Sequence, residues 1–129
     1  MRKLFLILVL SLFYNLSFSQ SDTIKKSMNK YLLHGKLTAK QGHRDELAII
    51  LLEASKLVST AEGCKLYVVG LDKDDINSVY VTEIWDSKEN HDNSLNVKGV
   101  KGLITKAIPI LDGKPSTGQE LEVLGGAGL

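Results

Sequence analysis

The spacing of apolar residues changes along the chain from two residues to between three and four, and then returns to two. Apolar residues alternate with others over residues 31–39, which predicts a strand with one buried face. Between residues 47 and 58 they recur every three or four positions, which predicts an amphipathic helix. Two β-rich runs, Cys64–Leu71 and 78–86, flank the polar segment 72–77 and predict an antiparallel hairpin.

A second helical region and a last strand complete the predicted order of elements. Asp86 and Glu89 have the three-residue spacing of a capping box, so the helical region should follow the hairpin directly, with Asp86 as its cap. Gly99 and Gly102 are expected to interrupt this region, and residues 119–124 should form the strand. The order β, α, β, β, α, β is that of an α+β, ferredoxin-like fold.

The start of the chain has the pattern of a secretory leader. Arg2 and Lys3 precede an apolar run over residues 4–14, and Ser19 lies just before the expected cleavage site. A membrane-spanning helix needs about 20 apolar residues, and this run is much shorter. We therefore predict a cleaved signal peptide at residues 1–19, export to the periplasm or the medium, and no membrane span after cleavage.

The chain without its leader is a near-neutral domain. It has 110 residues with 14 basic and 15 acidic side chains and no basic run, so nucleic acid is not an expected partner. Cys64 is the single cysteine, so an apolar core rather than a disulfide must stabilise the domain. Residues 20–30 are polar and predict a flexible arm, which places the folded domain at residues 31–129.

The predicted topology also suggests a homodimer. Four strands with their helices on one side leave the other face of the sheet uncovered. An uncovered apolar sheet face needs a partner, and a second copy of the chain would bury it.

Several short segments in a fixed order carry a family resemblance. They are Gly42 before the predicted first helix, Gly63-Cys64, Tyr67-Val68-Val69, the run VTEIWDSKE over 81–89, His91-Asp92, Ser94-Leu95, IPIL over 108–111 and the terminal GGAGL. With these segments the chain resembles the antibiotic biosynthesis monooxygenases, a family of dimeric α+β barrels, and within it the quinol monooxygenases, over nearly all of residues 31–129. The resemblance implies an enzyme without flavin or metal, in which a phenolic substrate loses a proton and itself reduces dioxygen.

His91 and Glu83 are the candidate groups for proton transfer. An imidazole titrates near neutral pH, and His91 also matches a recurrent histidine of the family. Its alternative role is that of a surface or capping residue of a helix. Glu83 and Trp85 share one strand face, so a carboxylate and an aromatic wall would point into the same space. The alternative is that Glu83 forms an interface ion pair and Trp85 belongs to the core.

Three further residues are predicted to contact the substrate together with Trp85. Tyr67 could donate a hydrogen bond to an oxygen anion, although a strand tyrosine can also simply pack. Asn90 and Ser94 flank His91 within about one helical turn. His34 and His43 lack the spacing of a metal pair, so no metal is expected.

The predicted function is therefore that of an exported, cofactor-independent monooxygenase that oxidises a quinol or a polycyclic phenol with dioxygen. An alternative is a non-catalytic dimeric module that binds a small apolar ligand or another protein. Haem binding is a further alternative that His91 and Asn90 permit, although the domain has few aromatic residues to surround a macrocycle.

Overall fold

A computed structural model describes residues 30–129, which form a four-stranded antiparallel sheet with three α-helices. The sheet order is β2-β3-β1-β4, so the α+β, ferredoxin-like fold expected from the sequence is confirmed. The predicted leader and nearly all of the predicted arm lie outside the described residues. The strands are β1 (Lys30–Thr38), β2 (Cys64–Leu71), β3 (Ser78–Trp85) and β4 (Gln119–Val123), and the helices are α1 (Arg44–Val58), α2 (Lys88–Asn93) and α3 (Val100–Ala107).

The strand register places Tyr31, Tyr67, Glu83 and Trp85 on one face of the sheet. Trp85 of β3 lies opposite Tyr31 of β1, and Glu83 lies opposite Tyr67 of β2. Directly opposed residues of antiparallel strands point to the same side of the sheet. Glu83 and Tyr67 share a cavity with residues of α1 and α3, so this is the face that the helices cover.

The core lies between this face and the helices. Leu47 of α1 and Val79 of β3 are fully buried, and Leu103 of α3 packs in the same cluster. Trp85 is also fully buried and forms a second cluster with Val58 and Val100. The apolar positions of the predicted first helix therefore do pack against the sheet.

The cap of α2 differs from the prediction. Ser87, not Asp86, is the N-cap, and its Oγ accepts a hydrogen bond from the backbone N–H of Asn90 at 3.1 Å. The Asp86 carboxylate is drawn away by two lysines, with Oδ1 3.1 Å from Lys30 Nζ and Oδ2 3.2 Å from Lys65 Nζ. Lys30 was predicted to lie in the flexible arm, but it is the first residue of β1.

Only one of the two expected glycine breaks interrupts the second helical region. Gly99 has a φ of 97° and separates the short helix α2 and its following turn from α3. Gly102 lies inside α3, whose hydrogen bonding continues through it. Among residues 30–129, no helix has the length and apolar character needed to cross a membrane.

The face of the sheet turned away from the helices exposes apolar side chains. Leu66, Val68 and Leu121 are 37%, 49% and 49% exposed, and their strand partners are Ile84, Thr82 and Leu32. These positions alternate with the residues that face the helices. The sheet therefore has the uncovered apolar face on which the predicted homodimer depends.

Candidate functional site

A cavity of about 260 Å³ lies between the sheet and the helices and opens to solvent. Its walls are largely aliphatic, and its polar side chains come from Tyr67, Glu83, His91 and Ser94. Three of these four residues were predicted either to transfer protons or to donate a hydrogen bond to the substrate. The aliphatic lining comes mainly from Leu37, Ile50, Leu51, Ala54, Val58, Val100, Leu103, Ile104, Ala107, Ile108 and Leu111.

Glu83 is the one acidic side chain that lines this cavity in the part of the chain that the structure describes. Its side chain is 12% exposed, and Trp85 Nε1 donates a hydrogen bond to Oε2 at 2.9 Å. Burial raises the pKa of Glu83 above 4.5, and the Trp85 hydrogen bond and nearby His91 offset this rise only in part. A carboxyl group with a raised pKa in an apolar cavity is suited to acid–base chemistry.

His91 lies between this buried carboxyl group and the protein surface. Its Nε2 is 3.7 Å from Glu83 Oε2, and its Nδ1 is 3.0 Å from Asp92 Oδ1. The His91 side chain is 22% exposed, whereas that of Asp92 is 54% exposed. The hydrogen bond to His91, followed by that from Lys88, lowers the pKa of Asp92. Glu83, His91 and Asp92 thus follow one another from the cavity to the surface.

Two aromatic rings hold the imidazole of His91 in place. The Tyr31 ring centroid is 5.4 Å from that of His91 at an interplanar angle of 51°, and the Trp85 ring meets it edge-on at 5.9 Å and 82°. Tyr31 was not predicted as a site residue. The sequence signal that could have indicated it is its position near the start of the first strand, where the antiparallel register brings it opposite Trp85.

Tyr67 and Ser94, which were predicted to contact the substrate, both line the cavity. Burial first and the Glu83 carboxylate second raise the pKa of Tyr67, so its hydroxyl keeps its proton and can donate a hydrogen bond. Ser94 is buried at the end of α2, and its Oγ donates a hydrogen bond to the backbone oxygen of His91 at 2.6 Å. Ser94 therefore helps to fix the backbone that carries His91.

Trp85 and Asn90 lie elsewhere than the prediction placed them. Trp85 has no exposed surface, so it supports Glu83 and His91 from behind and forms no wall of the cavity. Asn90 accepts a hydrogen bond from Ser87 Oγ at 2.7 Å and lines a separate pocket beside Asn93 and Val97. Asn90 also donates its backbone N–H to Ser87 Oγ, so both of its hydrogen bonds stabilise the start of α2.

Residues 30–129 contain no group of three or more histidine, cysteine, aspartate or glutamate side chains arranged to hold a metal ion. Cys64, at the start of β2, is partly buried, and burial raises the pKa of its thiol. A thiol with a raised pKa is a weak nucleophile at neutral pH.

Comparison with known proteins gives a family match over most of the described residues. The antibiotic biosynthesis monooxygenase family matches residues 30–104. A solved structure of a Chloroflexus aurantiacus protein assigned to these monooxygenases is 36% identical, with a TM-score of 0.68, and the match covers 75% of this chain and 95% of that one. No protein from the curated set matches the chain.

Two more distant structures share the fold. A Nitrosomonas europaea protein of unknown function is 22% identical, covers 78% of this chain and 94% of its own, and has a TM-score of 0.65. The Streptomyces nogalater protein SnoaB, a cofactor-independent oxygenase, is 12% identical, covers 68% of this chain and 89% of its own, and has a TM-score of 0.60. At these identities the likeness concerns the fold alone.

Proposed function

The chain belongs to the antibiotic biosynthesis monooxygenase family, and we propose that it is a cofactor-independent monooxygenase that oxidises a quinol or a polycyclic phenol with dioxygen. The observation that carries this proposal is the pairing of Glu83 and His91 at the polar end of an apolar cavity. An aromatic ring fits the aliphatic walls, and its hydroxyl group meets the carboxyl group.

The substrate supplies the electrons in the proposed reaction. Glu83 accepts the hydroxyl proton, the phenolate passes one electron to dioxygen, and the two radicals join at a ring carbon that carries hydrogen. The Glu83 proton returns to the peroxide, the hydrogen of that carbon leaves as a proton, and the O–O bond breaks. The phenol and dioxygen thus yield a quinone and one water, with one oxygen atom of dioxygen in each product.

The surrounding residues support these steps. The aliphatic walls exclude water, which strengthens the interaction of the carboxyl group with the substrate hydroxyl. The Tyr67 hydroxyl donates to the oxygen anion that forms when the proton is lost. His91 exchanges protons between Glu83 and Asp92 at the surface, so the base is restored for the next turnover.

Oxygen consumption tests the proposed reaction directly. The purified protein is mixed with a panel of hydroquinones, naphthols and anthrone-like phenols in an oxygen electrode, beside a protein-free control for autoxidation. We expect saturable uptake above the control for at least one substrate. A folded protein that binds these phenols without consuming oxygen would contradict the proposal and favour the non-catalytic binding module.

The pH dependence of turnover should report the environment of Glu83. Only the ionised carboxylate accepts a proton, so kcat/KM should rise with pH through the pKa of Glu83, which burial holds above 4.5. Trp85→Phe removes the donor that stabilises this carboxylate, so the acidic limb should move to higher pH. The kcat/KM profile of both proteins between pH 4 and 9 measures this, and an unchanged limb in Trp85→Phe would contradict the assignment.

We also propose that two copies pair through the sheet face that exposes Leu66, Val68 and Leu121. Light scattering should then give twice the mass of one chain. Val68→Asp would bury a charge within this surface and should yield a monomer, because an unpaired buried charge is costly. A control variant on the helix side, Ile49→Asp, should leave the mass unchanged. A wild-type monomer would contradict the proposed pairing.

Export is a separate part of the proposal and depends on the leader pattern of residues 1–19, which lie outside the described residues. It would place the reaction outside the cytoplasm.

A further inference from the structure

A second cavity of about 200 Å³ adjoins the first on the same face of the sheet. Leu37, Leu51, Tyr67, Glu83 and Pro115 line both cavities, so Glu83 stands at the boundary between them. The proposed monooxygenase reaction uses only the side that contains His91. The second cavity is bordered by β1, β3 and the loop before β4, and it has no role in that reaction.

Gly35 keeps this second cavity open. It lies in the middle of β1, between Leu33 and Leu37 on the cavity face and opposite Val81. A Cβ atom added at Gly35 would have its nearest outside neighbour, Gly118 Cα, at 3.9 Å, which is ordinary contact. Packing therefore permits a side chain at Gly35, and none is present.

The neighbouring Gly118 shows the opposite situation. A Cβ atom there would lie 2.9 Å from the backbone oxygen of His34 and 3.2 Å from Gly35 Cα. Close approach of the two backbones thus requires glycine at 118 but not at 35. A strand-interior glycine lowers stability relative to a residue with a side chain, so what the chain gains at Gly35 is space.

The size of the two cavities agrees with a ligand that uses both. Pockets for small molecules usually measure about 300–1,000 Å³. The main cavity falls below this range by itself, and the two cavities joined across Glu83 fall within it. The second cavity is lined by Leu33, Val81 and Pro115 near Glu83, so an apolar group suits it best.

We propose that the second cavity binds the part of the substrate that extends beyond the reacting ring, and that Gly35 is the residue that sets this length. The hydroxyl group meets Glu83, one portion of the fused-ring system lies in the main cavity, and a further ring lies over Gly35. A side chain at this position would occupy the space of that ring and leave room for shorter phenols only.

Equilibrium binding tests this proposal independently of turnover. The probes are 1-naphthol, with two rings, and 9-phenanthrol, with three, and their binding is followed by fluorescence. Gly35→Val should weaken binding of 9-phenanthrol at least about tenfold, because bulk in an apolar pocket discriminates on this scale. Binding of 1-naphthol should remain close to that of the wild type.

Two further variants control this experiment. Gly102→Val adds the same side chain to an exposed glycine of α3 that has open space around it and lines neither cavity, and should alter neither affinity. Gly35→Ala adds only a methyl group and should weaken 9-phenanthrol binding by less than Gly35→Val, which gives a readout if the valine variant does not fold.

Three results would overturn the proposal: equal weakening of both probes by Gly35→Val, no weakening of either, or no binding of 9-phenanthrol to the wild type. The proposal rests on the proposed function, but the two fail separately. Selective loss of the three-ring probe without any oxygen uptake would refute the monooxygenase and leave the length-setting role of Gly35. Oxygen uptake together with an equal effect of Gly35→Val on the binding of both probes would support the monooxygenase and refute the length-setting role of Gly35.

Discussion

Glu83→Gln is expected to lower kcat/KM for a phenolic substrate by about 10²–10⁴-fold, which is the usual contribution of a general base. Glutamine has the shape of glutamate and can still accept the hydrogen bond from Trp85 Nε1, so the cavity keeps its form. It cannot take the substrate proton. Oxygen uptake measured across substrate concentrations gives kcat/KM for both proteins.

The matched control is Glu89→Gln. Glu89 lies exposed in the first turn of α2, the helix that carries His91, and does not line the cavity. The control removes one carboxylate of the same type close to the site, and we expect its kcat/KM to equal that of the wild type. An equal loss in both variants, or none in Glu83→Gln, would contradict the assigned base.

Glu83→Gln should not lower the stability of the fold at neutral pH. Burial raises the pKa of Glu83, so between the ordinary value of 4.5 and the raised value the folded state binds more protons than the unfolded state. Stability of the wild type is then lost as pH rises through this window. Glu83→Gln lacks this loss and should be at least as stable at pH 8, which urea unfolding would show. A loss of activity could then not be attributed to unfolding.

Trp85→Ala should lower the free energy of unfolding by about 3–5 kcal/mol, as is typical when a buried tryptophan is truncated. Trp85 is fully buried, packs with Val58 and Val100, and donates to Glu83. The truncation leaves a cavity and removes a partner of the carboxyl group. Because domains of this size are stable by about 5–15 kcal/mol, the loss is a large fraction of the total.

Urea unfolding followed by circular dichroism measures this effect. Ile76→Ala is the comparison, because Ile76 is 73% exposed in the β2–β3 turn and its truncation should change stability by less than about 0.5 kcal/mol. If Trp85→Ala were as stable as Ile76→Ala, the second core cluster would not have the role assigned to it.

The strands, the first helix and the hairpin could be predicted because each depends on local periodicity. β2 begins and ends at Cys64–Leu71, as predicted, and the six-residue turn follows it. The cap of α2 could not be assigned in this way, because Asp86 and Ser87 are both good capping residues. Asp86 forms ion pairs with Lys30 and Lys65, and Ser87 is the cap. Lys30 lies far from Asp86 in the sequence, so local spacing could not indicate this pairing.

The site was predictable in part for the same reason. The shared face of Glu83 and Trp85 follows from strand alternation, whereas the 3.7 Å approach of His91 depends on how α2 packs against the sheet. Tyr31 was missed because its place beside His91 depends on the register between β1 and β3. The prediction that Trp85 forms a cavity wall was wrong because alternation gives the face of a residue but not its depth.

The measurement that tests the central claim most directly is the fate of labelled dioxygen. The protein is supplied with ¹⁸O₂ and 1-naphthol in unlabelled water, and the quinone is extracted at once and analysed by mass spectrometry. Our account predicts one ¹⁸O atom in each quinone and the other in water, at a rate that falls in Glu83→Gln. Quinone without ¹⁸O, formed with hydrogen peroxide, or labelled quinone formed equally fast by Glu83→Gln, would contradict it.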